Sequence, residues 1–174
     1  MQYIAYKLGN KLHKKGLKIM DRTTIEEYIF GSILLLSNKM QIWGDKILED
    51  LTLKQWFLLL LVSKMENPNP TIKEISEFTG TTRQNVKKML EQLDRKKYIK
   101  IKRSKSDARA MNVLLLKKTY DYFTENEKKG AEAVNHVFSE ITDEELSVSK
   151  KMFDKLHFFF GNSPLEELKQ KENI

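Results

Sequence analysis

Apolar residues recur at helical spacing through most of the chain. The first series occupies one face of a helix predicted over about residues 25–48: Ile25, Ile29, Ile33, Leu36, Met40 and Trp43. Further amphipathic stretches predict helices over about residues 53–65, 72–78, 82–96, 118–141 and 143–160. In the helix predicted over residues 53–65, we expect Trp56, Leu59, Leu60 and Ser63 to face the core. The pattern indicates a mostly α-helical protein.

Helix starts are marked by threonines that precede an acid or amide by three residues. In this arrangement, the hydroxyl accepts a backbone N–H and the second side chain reaches back. Four pairs fit: Thr24/Glu27, Thr52/Gln55, Thr71/Glu74 and Thr142/Glu145. Ser163-Pro164 with Glu166 resembles a fifth start, with proline at the first helical position. The two prolines of residues 66–71 interrupt the helical pattern.

The period of the pattern changes from 3.6 to 2 after residue 96. Ile99 and Ile101 alternate with lysines, and a similar alternation follows at Met111, Val113 and Leu115. The polar sequence RSKSDAR separates the two runs, which predicts a β-hairpin. The order helix, turn, helix, hairpin is typical of a winged helix-turn-helix.

Positive charge is concentrated beside this hairpin. Residues 81–111 contain eleven basic and three acidic residues, a net charge of +8, whereas the whole chain carries +7. Such a patch on a near-neutral body indicates a polyanionic partner. A solvated helix face is the alternative.

The predicted helix over residues 82–96 has two distinct faces. At 100° per residue, one sector of about 100° holds Val86, Met89, Leu90 and Leu93. The opposite side holds Gln84, Lys88, Glu91 and Arg95, with Lys87 beside them. In a helix-turn-helix, the second helix enters the major groove, where glutamine reads adenine and arginine or lysine reads guanine or grips phosphate.

These residues resemble a known family. TRQNVKKMLEQLDRKKYIK followed by KSDAR is similar to the winged helix-turn-helix of MarR-type transcriptional regulators, and LTLKQWFLLLLVSK resembles the family's second helix. The resemblance covers roughly residues 24–160. It implies a homodimer whose first and last helices interlock, two winged domains on a palindromic operator, and a small aromatic or anionic effector. Lys97 stands where the family usually has glycine, so we expect another kind of cap there.

The resemblance also implies a set of DNA-binding residues. The groove-facing helix supplies Thr82, Arg83, Gln84, Lys87 and Lys88. The wing supplies Lys102, Arg103 and Lys105 for phosphates, and Arg109 for the minor groove. Asp107 would hold the Arg109 guanidinium by a bidentate pair. The alternatives are a surface ion pair and a merely solvated wing.

A ligand cleft is expected between the winged domain and the dimer helices, lined by Tyr28, Trp43, Trp56 and Phe57. Ordinary core packing is the alternative for each of these aromatic residues. No cofactor is expected.

The sequence contains no recognisable motif for catalysis or for metal binding. The chain has no cysteine, and His13, His136 and His157 lack ligand-spaced partners. No acid, base and nucleophile fall into a recognisable constellation, so we expect no enzyme and no metal site. Lysines interrupt any apolar run in the first twenty residues, and residues 56–62 are too few to cross a bilayer, so we expect a cytoplasmic protein without a membrane segment.

The chain is therefore expected to have four parts. They are a basic N-terminal extension (1–22), an N-terminal dimerisation helix (23–50), the winged helix-turn-helix (51–117) and C-terminal dimerisation helices (118–174). The leading hypothesis is a sequence-specific transcriptional regulator. The alternatives are an architectural or replication protein that binds DNA with little sequence preference, and a protein-interaction module.

Overall fold

Six helices and one β-hairpin make up the described part of the protein, residues 21–104, 110–161 and 165 of the computed structural model. The helices are α1 (Arg22–Ile47), α2 (Leu53–Lys64), α3 (Ile72–Thr79), α4 (Arg83–Arg95), α5 (Lys117–Val137) and α6 (Asp143–Phe160). The strands are β1 (Ile99–Arg103) and β2 (Met111–Leu115). The mostly α-helical class with one hairpin is confirmed. The chain divides between Asp50 and Leu51 into two compact units.

The first unit contains α1, which starts earlier than the sequence pattern indicated. The Asp21 carboxylate accepts the Thr24 hydroxyl at 2.8 Å and the Thr24 backbone N–H at 3.1 Å. These hydrogen bonds lower the pKa of Asp21. The predicted Thr24/Glu27 capping box is therefore wrong, because Asp21 already takes the capping position and Thr24 lies inside the helix.

The other three predicted capping boxes are confirmed. At the start of α3, Thr71 N–H donates to Glu74 Oε2 at 2.6 Å, and Glu74 N–H donates to Thr71 Oγ1 at 3.2 Å. Thr52 with Gln55 and Thr142 with Glu145 form the same reciprocal pair at the starts of α2 and α6. Each cap satisfies otherwise unpaired backbone donors and contributes about 1 kcal/mol.

The hairpin pairs β1 with β2 in antiparallel register, with Ile99 opposite Leu115 and Ile101 opposite Val113. One further bridge joins Thr71, just before α3, to Asn112. Val113 N–H also donates to the Pro70 carbonyl at 2.9 Å. The wing is thus fixed at its base to the loop that precedes the helix-turn-helix.

The core of the second unit is formed by α2, α3, α4 and the hairpin. Its fully buried members include Leu59, Ile75, Val86, Leu90, Leu93 and Ile99. The expected inward face of α2 is only partly right, since Leu59 is buried but Trp56, Leu60 and Ser63 are half-buried. The structure instead buries Gln55, Leu58, Leu61 and Val62 beside Leu59. Residues 56–62 are all apolar, so the sequence offers no polar face to orient the helix.

The turn from α4 into β1 is a Schellman motif built without glycine. Lys97 adopts a left-handed conformation, with φ of 64°. Lys97 N–H donates to the Asp94 carbonyl at 3.1 Å, and Tyr98 N–H donates to the Leu93 carbonyl at 3.0 Å. The expectation of a different cap is therefore wrong. The lysine takes the glycine-like conformation because these two bonds and the burial of Tyr98 fix it.

α5 ends at Val137, four residues before the predicted end. Ser139 N–H donates to the His136 carbonyl at 3.4 Å and Ile141 N–H to the Phe138 carbonyl at 3.0 Å, which tightens the chain into a turn before Thr142. Residues 1–20 of the expected basic N-terminal extension and the Ser163-Pro164 cap lie outside the described residues. Among the helices of residues 21–161, none has the length and apolar character needed to cross a bilayer.

Candidate nucleic-acid interface

A three-residue turn at positions 80–82 joins α3 to α4. Gly80 ends α3 with φ of 63° and ψ of 23°, a conformation that suits glycine. Thr81 N–H donates to the Ser76 carbonyl at 3.2 Å. The hydroxyl of Thr82 then caps α4 by accepting the Asn85 N–H at 3.3 Å. The predicted residue Thr82 therefore fixes the point where α4 starts.

The two faces of α4 differ completely in burial. Val86, Leu90 and Leu93 are 0% exposed, and Met89 is half-buried. The polar side chains Arg83, Gln84, Lys87, Lys88, Glu91 and Arg95 are all exposed. The apolar residues fix the helix to the core, and the basic residues remain available to a polyanion.

Two of the exposed cations have acidic neighbours. Arg83 Nη2 lies 3.8 Å from Glu77 Oε1, and Lys87 Nζ lies 3.9 Å from Glu91 Oε1. All four side chains are more than half exposed. Such pairs contribute about 0–1 kcal/mol. A phosphate group can therefore replace either carboxylate at small cost.

The wing continues this positive surface. On β1, Ile99 and Ile101 turn inward, while Lys100, Lys102 and Arg103 are exposed. Ile101 N–H donates to Asp94 Oδ1 at 3.3 Å, which links β1 to α4. Ser104 N–H donates to the Ala110 carbonyl at 2.9 Å and closes the base of the wing loop. The predicted DNA-contacting residues Lys105, Asp107 and Arg109 lie outside the described residues.

Residues 49–110 match the model of the MarR family. The winged helix belongs to the MarR family. No curated protein matches the chain.

The fold is also similar to solved MarR-type structures. A Staphylococcus aureus MepR–DNA complex is 23% identical, has a TM-score of 0.65 and covers 75% of this chain and 94% of its own. Streptococcus pneumoniae FabT in complex with DNA is 24% identical, has a TM-score of 0.56 and covers 85% and 99%. A MarR transcriptional regulator from Methanosarcina mazei is 18% identical, has a TM-score of 0.66 and covers 78% and 99%.

Sequence reasoning missed the polar contacts that hold the MarR-type winged helix together. Gln55, which was identified only as a cap, donates through Nε2 to Gln92 Oε1 at 2.7 Å and so joins α2 to α4. Thr119 is fully buried, and its hydroxyl donates to the Tyr98 carbonyl. Lys118 Nζ lies 4.2 Å from the centre of the Tyr98 ring. No spacing rule predicts these contacts, because the partners are 37, 21 and 20 residues apart in the sequence.

The four aromatic residues of the expected ligand cleft belong to different units. Trp56 and Phe57 are adjacent on α2, with ring centroids 6.4 Å apart. Tyr28 and Trp43 lie in α1, fifteen residues apart in the sequence, which is about 22 Å along a helix axis. Phe57 and Tyr28 are exposed, whereas Trp43 and Trp56 are half-buried. Within the residues described, no cluster of metal-ligating side chains occurs.

Proposed function

We propose that this protein is a DNA-binding transcriptional regulator that acts as a homodimer on a palindromic operator. Its winged helix has the fold and family of transcriptional regulators and not of enzymes. DNA is present in the MepR and FabT structures, to which the chain is similar. A regulator that reads chromosomal DNA would work in the cytoplasm.

The observation that carries this proposal is the separation of buried apolar residues from exposed basic residues on α4. The helix follows a helix-turn-helix turn, buries its three central apolar residues completely and leaves its basic residues exposed. We assign Arg83, Gln84, Lys87 and Lys88, after the capping residue Thr82, to the major groove. We assign Lys102, Arg103 and Lys105 to phosphates, and Arg109, held by Asp107, to the minor groove.

Homodimer formation is supported by large apolar side chains that α1 and α6 expose. On α6, Phe158, Phe159 and Phe160 are 84%, 79% and 77% exposed. On α1, the exposed side chains include Tyr28, Phe30, Leu34, Leu35 and Ile42. Large exposed apolar side chains in such number favour burial against another chain. We accordingly assign residues 23–50 and 118–174 to dimerisation, and residues 51–117 to DNA binding.

The test is selection of bound duplexes from a random pool. We expect a consensus with two-fold symmetry and half-sites about one helical turn apart, because a two-fold dimer places one α4 in each of two successive major grooves. Recovery of asymmetric or unrelated duplexes would contradict sequence-specific binding by a dimer.

A second function, DNA binding with little sequence preference, is favoured by one observation. Residues 95–103 contain six basic residues and no acidic one, and such a stretch neutralises phosphates without reading bases. Competition of the selected duplex against random DNA separates the two functions. Equal affinities would favour the architectural or replication role.

We also propose a small aromatic or anionic effector, for which each of the two helices offers aromatic residues: Tyr28 and Trp43 on α1, and Trp56 and Phe57 on α2. The support is the aromatic density of α1 and α2. Aromatic carboxylates should raise the melting temperature and release DNA. If no compound in such a screen does either, the regulator acts without this class of effector.

A further inference from the structure

A directional contact couples α4 to the start of α2. Gln55 is only 5% exposed, and its Nε2 donates to Gln92 Oε1 at 2.7 Å. Gln92 is half-buried on the flank of α4. Val86, Leu90 and Leu93 also pack α4 against the core, but their apolar burial is not directional, and the bond from Ile101 N–H to Asp94 Oδ1 links α4 to β1 and not to α2. The amide–amide bond, in contrast, favours one geometry.

The orientation of the Gln55 amide is itself fixed. Its Oε1 accepts the Thr52 backbone N–H at 3.2 Å, so Nε2 must point away from that cap and toward Gln92. Gln55 N–H in turn donates to Thr52 Oγ1 at 3.2 Å. A continuous chain of hydrogen bonds therefore leads from Thr52, the second residue of the second unit, to α4.

Gln92 occupies a particular position relative to the exposed face of α4. Gln84, Lys88 and Gln92 are spaced by four residues, so they form one row along the helix. Gln55 binds Gln92 at the C-terminal end of this row, whereas Gln84 and Lys88 are exposed. A rotation of α4 about its axis would break this bond and turn Gln84 and Lys88 together.

We infer that Gln55 and Gln92 are positioning residues that set the rotation of α4 and thereby the discrimination between operator and other DNA. This inference rests on the proposed function. Phosphate contacts tolerate small rotations because a cation reaches several oxygens, whereas base-edge hydrogen bonds require a fixed geometry. Loss of the glutamine pair should therefore reduce discrimination without changing the number of phosphate contacts.

The experiment compares the full chain with Gln55→Leu, Gln92→Leu, Gln92→Glu and Thr52→Ala. Affinities for the selected operator and for a random duplex are measured at several salt concentrations, at a temperature where unfolding curves show each variant to be folded. For both leucine variants, we expect the affinity ratio to fall about three- to tenfold, the scale of one hydrogen bond, with an unchanged salt slope.

The remaining variants separate positioning from simpler roles. Gln92→Glu keeps an oxygen that accepts from Gln55 Nε2, so it should retain the affinity ratio. Thr52→Ala removes the cap hydroxyl but leaves the glutamine pair, so it should lower stability and retain the ratio. Gln92 is half-buried, so Gln92→Leu remains informative even where Gln55→Leu lowers the folded fraction.

Three results would overturn the inference while leaving the proposed function intact. One is an unchanged ratio in the leucine variants. Another is a loss in a folded Gln92→Leu but not in a folded Gln55→Leu, which would mean that Gln92 itself contacts DNA. The third is an equal loss in Thr52→Ala, which would attribute the effect to stability. A chain that selects no duplex at all would defeat the proposed function, and this inference with it.

Discussion

Lys97 adopts a backbone conformation that favours glycine, although it carries a long side chain. Its φ of 64° is left-handed, which costs a residue with a Cβ roughly 1–2 kcal/mol. Lys97→Gly removes this strain, although glycine also gains freedom in the unfolded chain. We expect a net gain of about 0.5–1 kcal/mol in the free energy of unfolding. Urea denaturation measures it as a higher midpoint with an unchanged slope.

Lys96→Gly is the matched control for this prediction. Lys96 precedes Lys97 and has the same charge, but its φ of −78° is ordinary for any residue. Glycine there should lower the free energy of unfolding by roughly 0.5–1 kcal/mol. If the two variants shift the midpoint in the same direction, conformational strain at Lys97 is not the cause.

The lowered pKa of Glu74 predicts that the fold loses stability in acid. The Thr71 backbone N–H, followed by the Thr71 hydroxyl, lowers the pKa of Glu74 from its ordinary value of 4.5. A lowered folded-state pKa means that ionised Glu74 stabilises the fold above pH 4.5, and that this contribution is lost as pH falls through the lowered value. Relative to Glu74→Gln, the native chain should therefore be more stable at neutral pH, and the difference should vanish in acid. The measurement is the melting temperature of both chains between neutral pH and acid. A difference in melting temperature that stays constant over this pH range would refute the role of ionisation.

At the scale of elements, helix starts were predictable because they depend on neighbours three residues apart. Three capping boxes form as the sequence indicates. α4 was equally predictable, because its polar positions define its buried face. α2 was not, since its apolar run presents the same chemistry on every side. The Gln55–Gln92 contact and the Thr71–Asn112 bridge depend on tertiary packing, so no local pattern predicts them.

α4 and the wing should contribute differently to DNA binding. Lys88 on α4 faces the major groove in our proposal, and Arg109 enters the minor groove, where A·T-rich sequence deepens the negative potential. Arg109→Ala should weaken binding by roughly 1–3 kcal/mol, with a loss that depends on A·T content at the flanks of the site. Lys88→Ala should change preference within each half-site, or, if Lys88 grips phosphate, reduce the salt slope by about 1.

These two substitutions control for each other, because each removes one positive charge. The measurement is affinity for operator variants that differ in flanking A·T content and in half-site sequence. A purely electrostatic surface would respond equally to both substitutions. Equal losses that ignore DNA sequence would refute the groove assignments and support binding with little sequence preference.

At the scale of the whole molecule, the proposed dimer would give the large exposed apolar side chains of α1 and α6 a surface on which to be buried. Phe159 on α6 is 79% exposed, so Phe159→Asp should hardly change the stability of a monomer. In a dimer that buries this ring, the same change leaves an unpaired carboxylate in an apolar interface, which is strongly unfavourable. We therefore expect sedimentation to give twice the chain mass for the native protein and the single-chain mass for Phe159→Asp.

The matched control is Ser147→Asp, which adds the same charge to α6 on the face that carries Lys150 and Lys151. It should remain a dimer and keep full affinity for the two-half-site operator. Phe159→Asp should lose affinity for that operator but bind a single half-site as the native chain does, because each winged helix contacts one half-site and the dimer joins the two. A native chain that sediments as a monomer, or a Phe159→Asp variant that stays dimeric at low micromolar concentration, would contradict dimerisation through this surface. In the first case, the exposed phenylalanines would serve another partner, and the operator would need only one half-site.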